Sequence, residues 1–175
     1  QDGLSFRSGV QVFDLEACAK EAAEDAARKF GASTIPSGFY PVVLEKHAAS
    51  ALLRGFFSQF SGEAAQKGLS QLGDRVGQSI AADCVNIVDD PLFAANPRPF
   101  DDEGVPSVCT DVVEKGVLKT MLHNLKTAAK AGCQSTSNGG RGSAASPVGV
   151  APSNFMIVPG EKSYDQLLED LGDGL

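Results

Sequence analysis

No stretch of this sequence reaches the roughly 18 to 20 apolar residues that a membrane-crossing helix needs, so no membrane partner is expected. Positive charge is also short: 15 Lys and Arg stand against 22 Asp and Glu, a formal net charge of -7. The longest basic feature, Lys115, Lys119, Lys126 and Lys130, is scattered rather than clustered. Phosphate backbones are held by clustered Lys and Arg, so direct nucleic-acid binding is disfavoured. Histidine is limited to His47 and His123, and neither has a second His or a Glu at the offset of an H-E-x-x-H helix. The four cysteines, Cys18, Cys84, Cys109 and Cys133, form no C-x-x-C pair, which excludes zinc-knuckle spacing. The expectation for them is reduced and mostly buried thiols of a cytosolic protein. A G-x-S-x-G nucleophile elbow is missing. The Gly-rich run "NGGRGS" lacks the Lys-Ser/Thr of a phosphate loop, and no strand runs directly into it.

What remains is enough for one full domain or for pieces of two. The 175 residues are 42% hydrophobic, with no Trp and ten Phe, and 19 Gly and nine Pro point to many turns. The chain starts at Gln1, in what reads as mid-strand ("DGLSFRSG"), and the expectation is a fragment of a longer protein. Residues 1–13 alternate weakly and suggest a strand or two. From Leu15 to Phe30 apolar residues recur at helical spacing, with Asp14 as N-cap and Gly31 as the stop. "GASTIPSG" is a linker, "FYPVVLE" (39–45) a predicted strand, and His47 to Phe60 a predicted helix. Residues 61–83 are Gly-punctuated and fit no single regular element. "CVNIVDDP" reads as a strand ending in a turn. "VCTDVVEKGVLKTML" reads as a hairpin about Glu114-Lys115-Gly116. A short helix over 125–131, a mobile loop over 133–152, a strand at "NFMIVPG" and a helix at "SYDQLLEDL" with a Ser163/Gln166 capping box complete the chain.

Few residues offer chemistry. Asp89 and Asp90 precede Pro91, and Asp101, Asp102 and Glu103 precede Gly104. Clustered carboxylates are hard oxygen ligands for Ca²⁺ or Mg²⁺. They also initiate turns by accepting backbone N–H groups, which "DDP" and "DDEG" suit better. A cysteine nucleophile, Cys109 or Cys133, is an open alternative whose base cannot be read from spacing. From the residues alone the protein is a mixed α and β chain without a visible active site.

The order of its segments is more informative. "IPSGFYPVVLEKHAASALLRGF", "DDP", "PFDDEGVPS", "EKGVLKTML", "STSNGGRG", "PSNFMIVPG" and "SYDQLLEDLGDGL" follow one another in a way that resembles the PmbA/TldD family, called modulators of DNA gyrase, and within it the PmbA (TldE) branch. The resemblance implies an α+β fold, a mostly antiparallel sheet with a few packed helices. Residues 1–35 would be the tail of a central domain and 36–175 the first part of the C-terminal domain. It also implies a cytoplasmic metalloprotease assembled from TldD and TldE subunits, acting on unfolded or flexible peptides and on peptide precursors. TldD-type subunits bind zinc through an H-E-x-x-x-H helix and a later ligand, whereas TldE-type subunits lack the motif. After "PVVL", the nine residues "EKHAASALL" carry the alignment to the motif's slot. There Arg54 replaces the first His, Gly55 the general-base Glu and Gln59 the second His. Arginine is a permanent cation and repels Zn²⁺, and glycine has no group to activate a water. The expectation is a non-catalytic subunit without its own metal. Its partner would be a TldD-like subunit carrying the zinc, or a second copy of itself, and its ligand a peptide. Phe56, Phe57 and Phe60 would mainly pack the helix into its own sheet. A regulatory module binding DNA gyrase is the third reading.

Overall fold

The computed structural model describes residues 14–93 and 97–175; the strands expected within 1–13 lie outside them. The chain divides into two units, residues 1–41 and 42–175.

In the first unit the helical periodicity becomes α1, Leu15–Arg28. Asp14 stands outside the helix in extended conformation and accepts the Ala17 N–H at 3.0 Å, satisfying one of the donors a helix start leaves free. The helix stops two residues before Phe30, and the chain then turns through Gly31 at φ +79°. Residues 32–41 are irregular, with the Tyr40 hydroxyl donating to the Pro36 carbonyl.

The strand expected over 39–45 does not form. A strand needs a ladder of backbone partners as well as apolar alternation, and among the described residues the one such bond from 42–44 is Val43 donating to the Leu175 carbonyl at 2.8 Å. The helix that follows forms, but in two parts. α2 spans Lys46–Phe56, with the Glu45 carboxylate accepting the His47 N–H. A 3₁₀ turn then covers Phe57–Phe60. In 3₁₀ geometry residues three apart stack above one another, which sets Phe57 and Phe60 on one side. Both rings meet Phe155, at 5.5 and 5.3 Å between centroids. Phe56 points elsewhere and stays exposed. Ser61 ends the turn and caps the short α3, Gly62–Gln66.

The main sheet is antiparallel and built from β1 (Ile87–Asp89), β2 (Thr110–Glu114), β3 (Val117–Leu118) and β6 (Phe155–Ile157), in the order β3-β2-β1-β6. Between them in the chain lie α4 (Leu125–Ala131) and the two-stranded β4 (Gly139–Gly140) and β5 (Gly149–Val150); α5 (Tyr164–Leu171) follows. The β2–β3 hairpin turns on Lys115 and Gly116, both at positive φ, as a tight two-residue turn requires. Gly116 is fixed further by crowding: a Cβ there would lie 2.3 Å from the Ala81 carbonyl oxygen. The core gathers Phe60, Ile87, Val112, Val113, Leu118, Met121 and Leu122, with Phe57 and Phe155 packed against it.

Two further expectations change. The segment 133–152 is not a floppy connection, because Ser137 and Asn138 are 2% and 1% exposed and β4 pairs with β5. Its Ser, Thr and Asn side chains supply the hydrogen bonds that an apolar loop would lack. No disulfide joins the cysteines, but Cys84, Cys109 and Cys133 are exposed and Cys18 is half-buried, so they are not core residues. Among the described residues no helix is long and apolar enough to cross a membrane.

Candidate functional site

Arg54 and Gly55 occupy the last turn of α2, and Gln59 lies in the 3₁₀ turn beyond. Arg54 lines a cleft of about 500 Å³ whose walls are α2 (Ala49, Ser50, Leu53), Phe57 and residues 152–157. Gln59 lines a different, apolar groove of about 330 Å³ with Phe56, Leu72, Ile80 and Val113. Its amide is already in use, accepting the Gln71 N–H at 2.8 Å, while its carbonyl accepts the Ser70 hydroxyl. The backbone explains the separation. Five residues at α or mixed α/3₁₀ pitch place two side chains roughly 140° to 180° apart around the axis. Convergence would need a wider turn, and here the helix tightens. Gly55 faces open space, since a Cβ added there would meet no atom within 4 Å.

These residues do not fit zinc. One is a cation, one has no side chain beyond hydrogen, and the amide of the third is engaged elsewhere. Among the described residues no three of His, Cys, Asp or Glu gather as a metal site.

The acidic run is structural in its contacts. Asp101 is buried, and its carboxylate accepts three backbone N–H groups, from Glu103 and Val105 at 2.9 Å and from Gly139 at 2.8 Å. Asp102 accepts the Arg141 N–H, and Glu103 accepts the Leu125 N–H at the start of α4. The three carboxylates therefore point to three backbone segments and tie the 98–105 turn to β4 and α4. Gly139 lets this happen, since a Cβ there would lie 2.8 Å from the Asp101 carboxylate.

A second polar cluster has no clear mark in the sequence. Asp89, 2% exposed, accepts the Asn138 amide at 2.6 Å and the Ser153 N–H at 3.0 and 3.1 Å. Asn138 also donates to the Ala151 carbonyl and accepts from Thr136. Burial holds the Asp89 carboxyl above its ordinary pKa; Asn138 and the Ser153 and Asn154 N–H groups pull it down by less. The only signals are "DDP" and "TSNGG", which read equally well as turn and loop.

His47 is exposed on α2. His123 is buried over Gly62, with Nδ1 3.2 Å from the Thr127 hydroxyl, and burial lowers its pKa. It shares a cleft of about 400 Å³ with Cys133, yet the Cys133 thiol reaches the Ala128 carbonyl at 3.8 Å instead of the imidazole. The Cys109 thiol is pushed up by burial and then by Asp90, Asp111 and Asp89. Less thiolate at neutral pH makes it a poorer nucleophile.

Comparison with known proteins agrees with this architecture. Residues 37–175 match the family described as the PmbA/TldA metallopeptidase C-terminal domain. A metalloprotease of Methanocaldococcus jannaschii is 32% identical across 90% of this chain and 35% of its own length. A metalloprotease TldD homolog of Haemophilus influenzae is 29% identical across 99% of this chain and 37% of its own. A crystal structure from Thermotoga maritima, described as a candidate modulator of a DNA gyrase, superposes with a TM-score of 0.85 at 42% identity, over 93% of this chain and 37% of that one. TldE from Thermococcus kodakarensis superposes with a TM-score of 0.71 at 25% identity, over 91% and 37%. The chain thus spans 35% to 37% of the length of these relatives.

Proposed function

Because this chain belongs to the PmbA/TldD metallopeptidase family through the C-terminal domain matched at residues 37–175, we propose that it serves as a TldE-like subunit, without catalysis of its own, in a cytoplasmic TldD/TldE-type metalloprotease. Residues 1–35 then belong to the end of the preceding central domain. The complex acts on unfolded or flexible peptides and peptide precursors. Zinc sits in a TldD-type partner, and this chain helps to enclose the chamber, as a heterodimer or beside a second copy of itself.

The observation that carries this reading is the end of α2, where Arg54 and Gln59 line separate cavities and Gly55 offers no base. A cysteine-based peptidase is less well supported, because the Cys109 thiol is raised and Cys133 bonds a carbonyl rather than His123.

The test is elemental analysis of the purified protein, alone and with a TldD-type partner, alongside peptidase assays. The expected result is no stoichiometric zinc in this chain, and activity that appears with the partner and is insensitive to alkylation of Cys109 and Cys133. Stoichiometric zinc in the isolated chain, or activity abolished by alkylation, would overturn it. Capture from cell extract separates a TldD-type partner from gyrase.

A further inference from the structure

The sequence has a single Asn-Gly pair, Asn138-Gly139. In an unstructured chain such a pair is labile. Asparagine is a thermolabile residue, and a following glycine has no Cβ to keep its backbone nitrogen from the side-chain amide. Here the two reacting groups are held by different carboxylates. The electrophile is the Asn138 amide, in a residue 1% exposed. Its Nδ2 donates to Asp89 at 2.6 Å and to the Ala151 carbonyl at 3.0 Å, and its Oδ1 accepts the Thr136 hydroxyl at 2.6 Å. The nucleophile is the Gly139 nitrogen, whose N–H donates to the Asp101 carboxylate at 2.8 Å. The Gly139 carbonyl accepts the Asp102 N–H, and Gly139 pairs with Val150 across β4 and β5. Every one of these contacts is internal, and none depends on a free surface.

We propose that Asn138-Gly139 is a deamidation site masked by Asp89 and Asp101, and that its conversion releases the 133–152 segment from β1 irreversibly. In the reaction the Gly139 nitrogen attacks Cγ of Asn138. An N–Cγ bond forms, the Cγ–Nδ2 bond breaks, and ammonia leaves with the Gly139 proton. Water then opens the five-membered imide at one carbonyl or the other, leaving an aspartyl or isoaspartyl residue at position 138. Water is the only co-reactant consumed. Two features of the fold oppose the first step. The Asn138 side chain must leave Asp89, Ala151 and Thr136 to meet its own backbone, and Gly139 must lose a proton that the Asp101 anion holds in place. The product cannot return to the same seat. An oxygen replaces Nδ2 and meets the Asp89 carboxylate and the Ala151 carbonyl, acceptors facing acceptors. Two carboxyl groups in such contact cannot both ionise, and Asp89 is 2% exposed, with little water to screen the pair. A transient opening of the segment thereby becomes permanent once the amide is lost, whatever role the chain has in a peptidase complex.

The test follows the gain of one mass unit at residue 138 by peptide mass spectrometry, while the full chain stands in mildly alkaline buffer, folded or in urea. In urea Asn138 is expected to deamidate faster than Asn86, Asn124 and Asn154, none of which precedes glycine. In the folded chain it should react at least about tenfold more slowly than in urea, because reaction then waits for local opening. Asp101→Asn keeps one oxygen for the Glu103 and Val105 N–H groups and turns an amide toward Gly139. It should speed the folded-state reaction, with matched unfolding curves as the check on folding. Asn138→Asp reproduces the aspartyl product; it should lower the thermal midpoint and bring early protease cleavage into 133–152. Equal rates in the folded chain and in urea, no excess over the other asparagines in urea, or an unchanged rate in folded Asp101→Asn would each overturn the proposal. So would an unaltered midpoint and digestion pattern in Asn138→Asp. The wild-type and Asn138→Asp measurements decide the matter even where Asp101→Asn fails to fold.

Discussion

Gly55 is the least constrained of the three positions at the end of α2. Nothing lies within 4 Å of where a Cβ would sit, and its φ is not in the left-handed region. A helical glycine without such a requirement costs about 0.5–1 kcal/mol relative to alanine. Gly55→Ala should therefore raise the urea midpoint by about that free energy; a lowered midpoint would mean that the site is crowded. Asp89 is the opposite case, a carboxylate whose every contact is determined by the fold. Its folded pKa is raised by burial, so the folded chain holds this proton more tightly than the unfolded one. Its contribution to stability is complete below the unfolded pKa and declines as pH rises through the folded value. The wild type should gain stability relative to Asp89→Asn when urea unfolding is followed from neutral pH down through the carboxylate range. A relative loss on acidification would show that the Asn138 and Ser153 hydrogen bonds outweigh burial.

At the scale of elements, several that match expectation have local signals. Asp14 and α1, Ser163 with Gln166 and α5, and the Lys115-Gly116 hairpin each rest on interactions within a few residues. Among the elements that depend on distant partners, β1 and β6 form where expected, whereas two segments depart: residues 39–45 have the pattern of a strand but lack a ladder, and 133–152 has the composition of a loose loop but is bound by Asp89 and Asp101. The hairpin permits a sharp test. Gly116→Ala meets both a positive φ of 74° and the Ala81 and Ala82 carbonyls at 2.3 and 2.8 Å. It should destabilise by more than about 1 kcal/mol, read as a lower thermal midpoint with the far-ultraviolet spectrum otherwise retained below the transition.

For the molecule as a whole, the two units differ in how they are held. Residues 42–175 contain the buried cluster about Val112, Leu118 and Leu122, whereas α1 has no buried residue and residues 27–42 are exposed throughout. Exposed backbone with few hydrogen bonds is where proteases cut first. Limited trypsin digestion should cleave after Arg28 or Lys29 before it cuts anywhere in 98–141, as read by mass spectrometry of the early fragments. Early cuts within 133–152 would contradict the anchoring of that segment by Asp89, Asp101 and Asp102.

The sequence by itself determined α1 and α5 with their caps, the place of α4, the tight hairpin and the family, because caps, turns and ordered motifs act over short separations along the chain. It also located Arg54, Gly55 and Gln59 as positions to inspect. Tertiary structure alone decided that Arg54 and Gln59 line separate cavities, since this depends on α2 tightening into a 3₁₀ turn where Phe57 and Phe60 pack on Phe155, nearly a hundred residues away in sequence. It alone decided that Asp89 and Asn138 are buried together, because burial is a property of what the rest of the chain places around a residue.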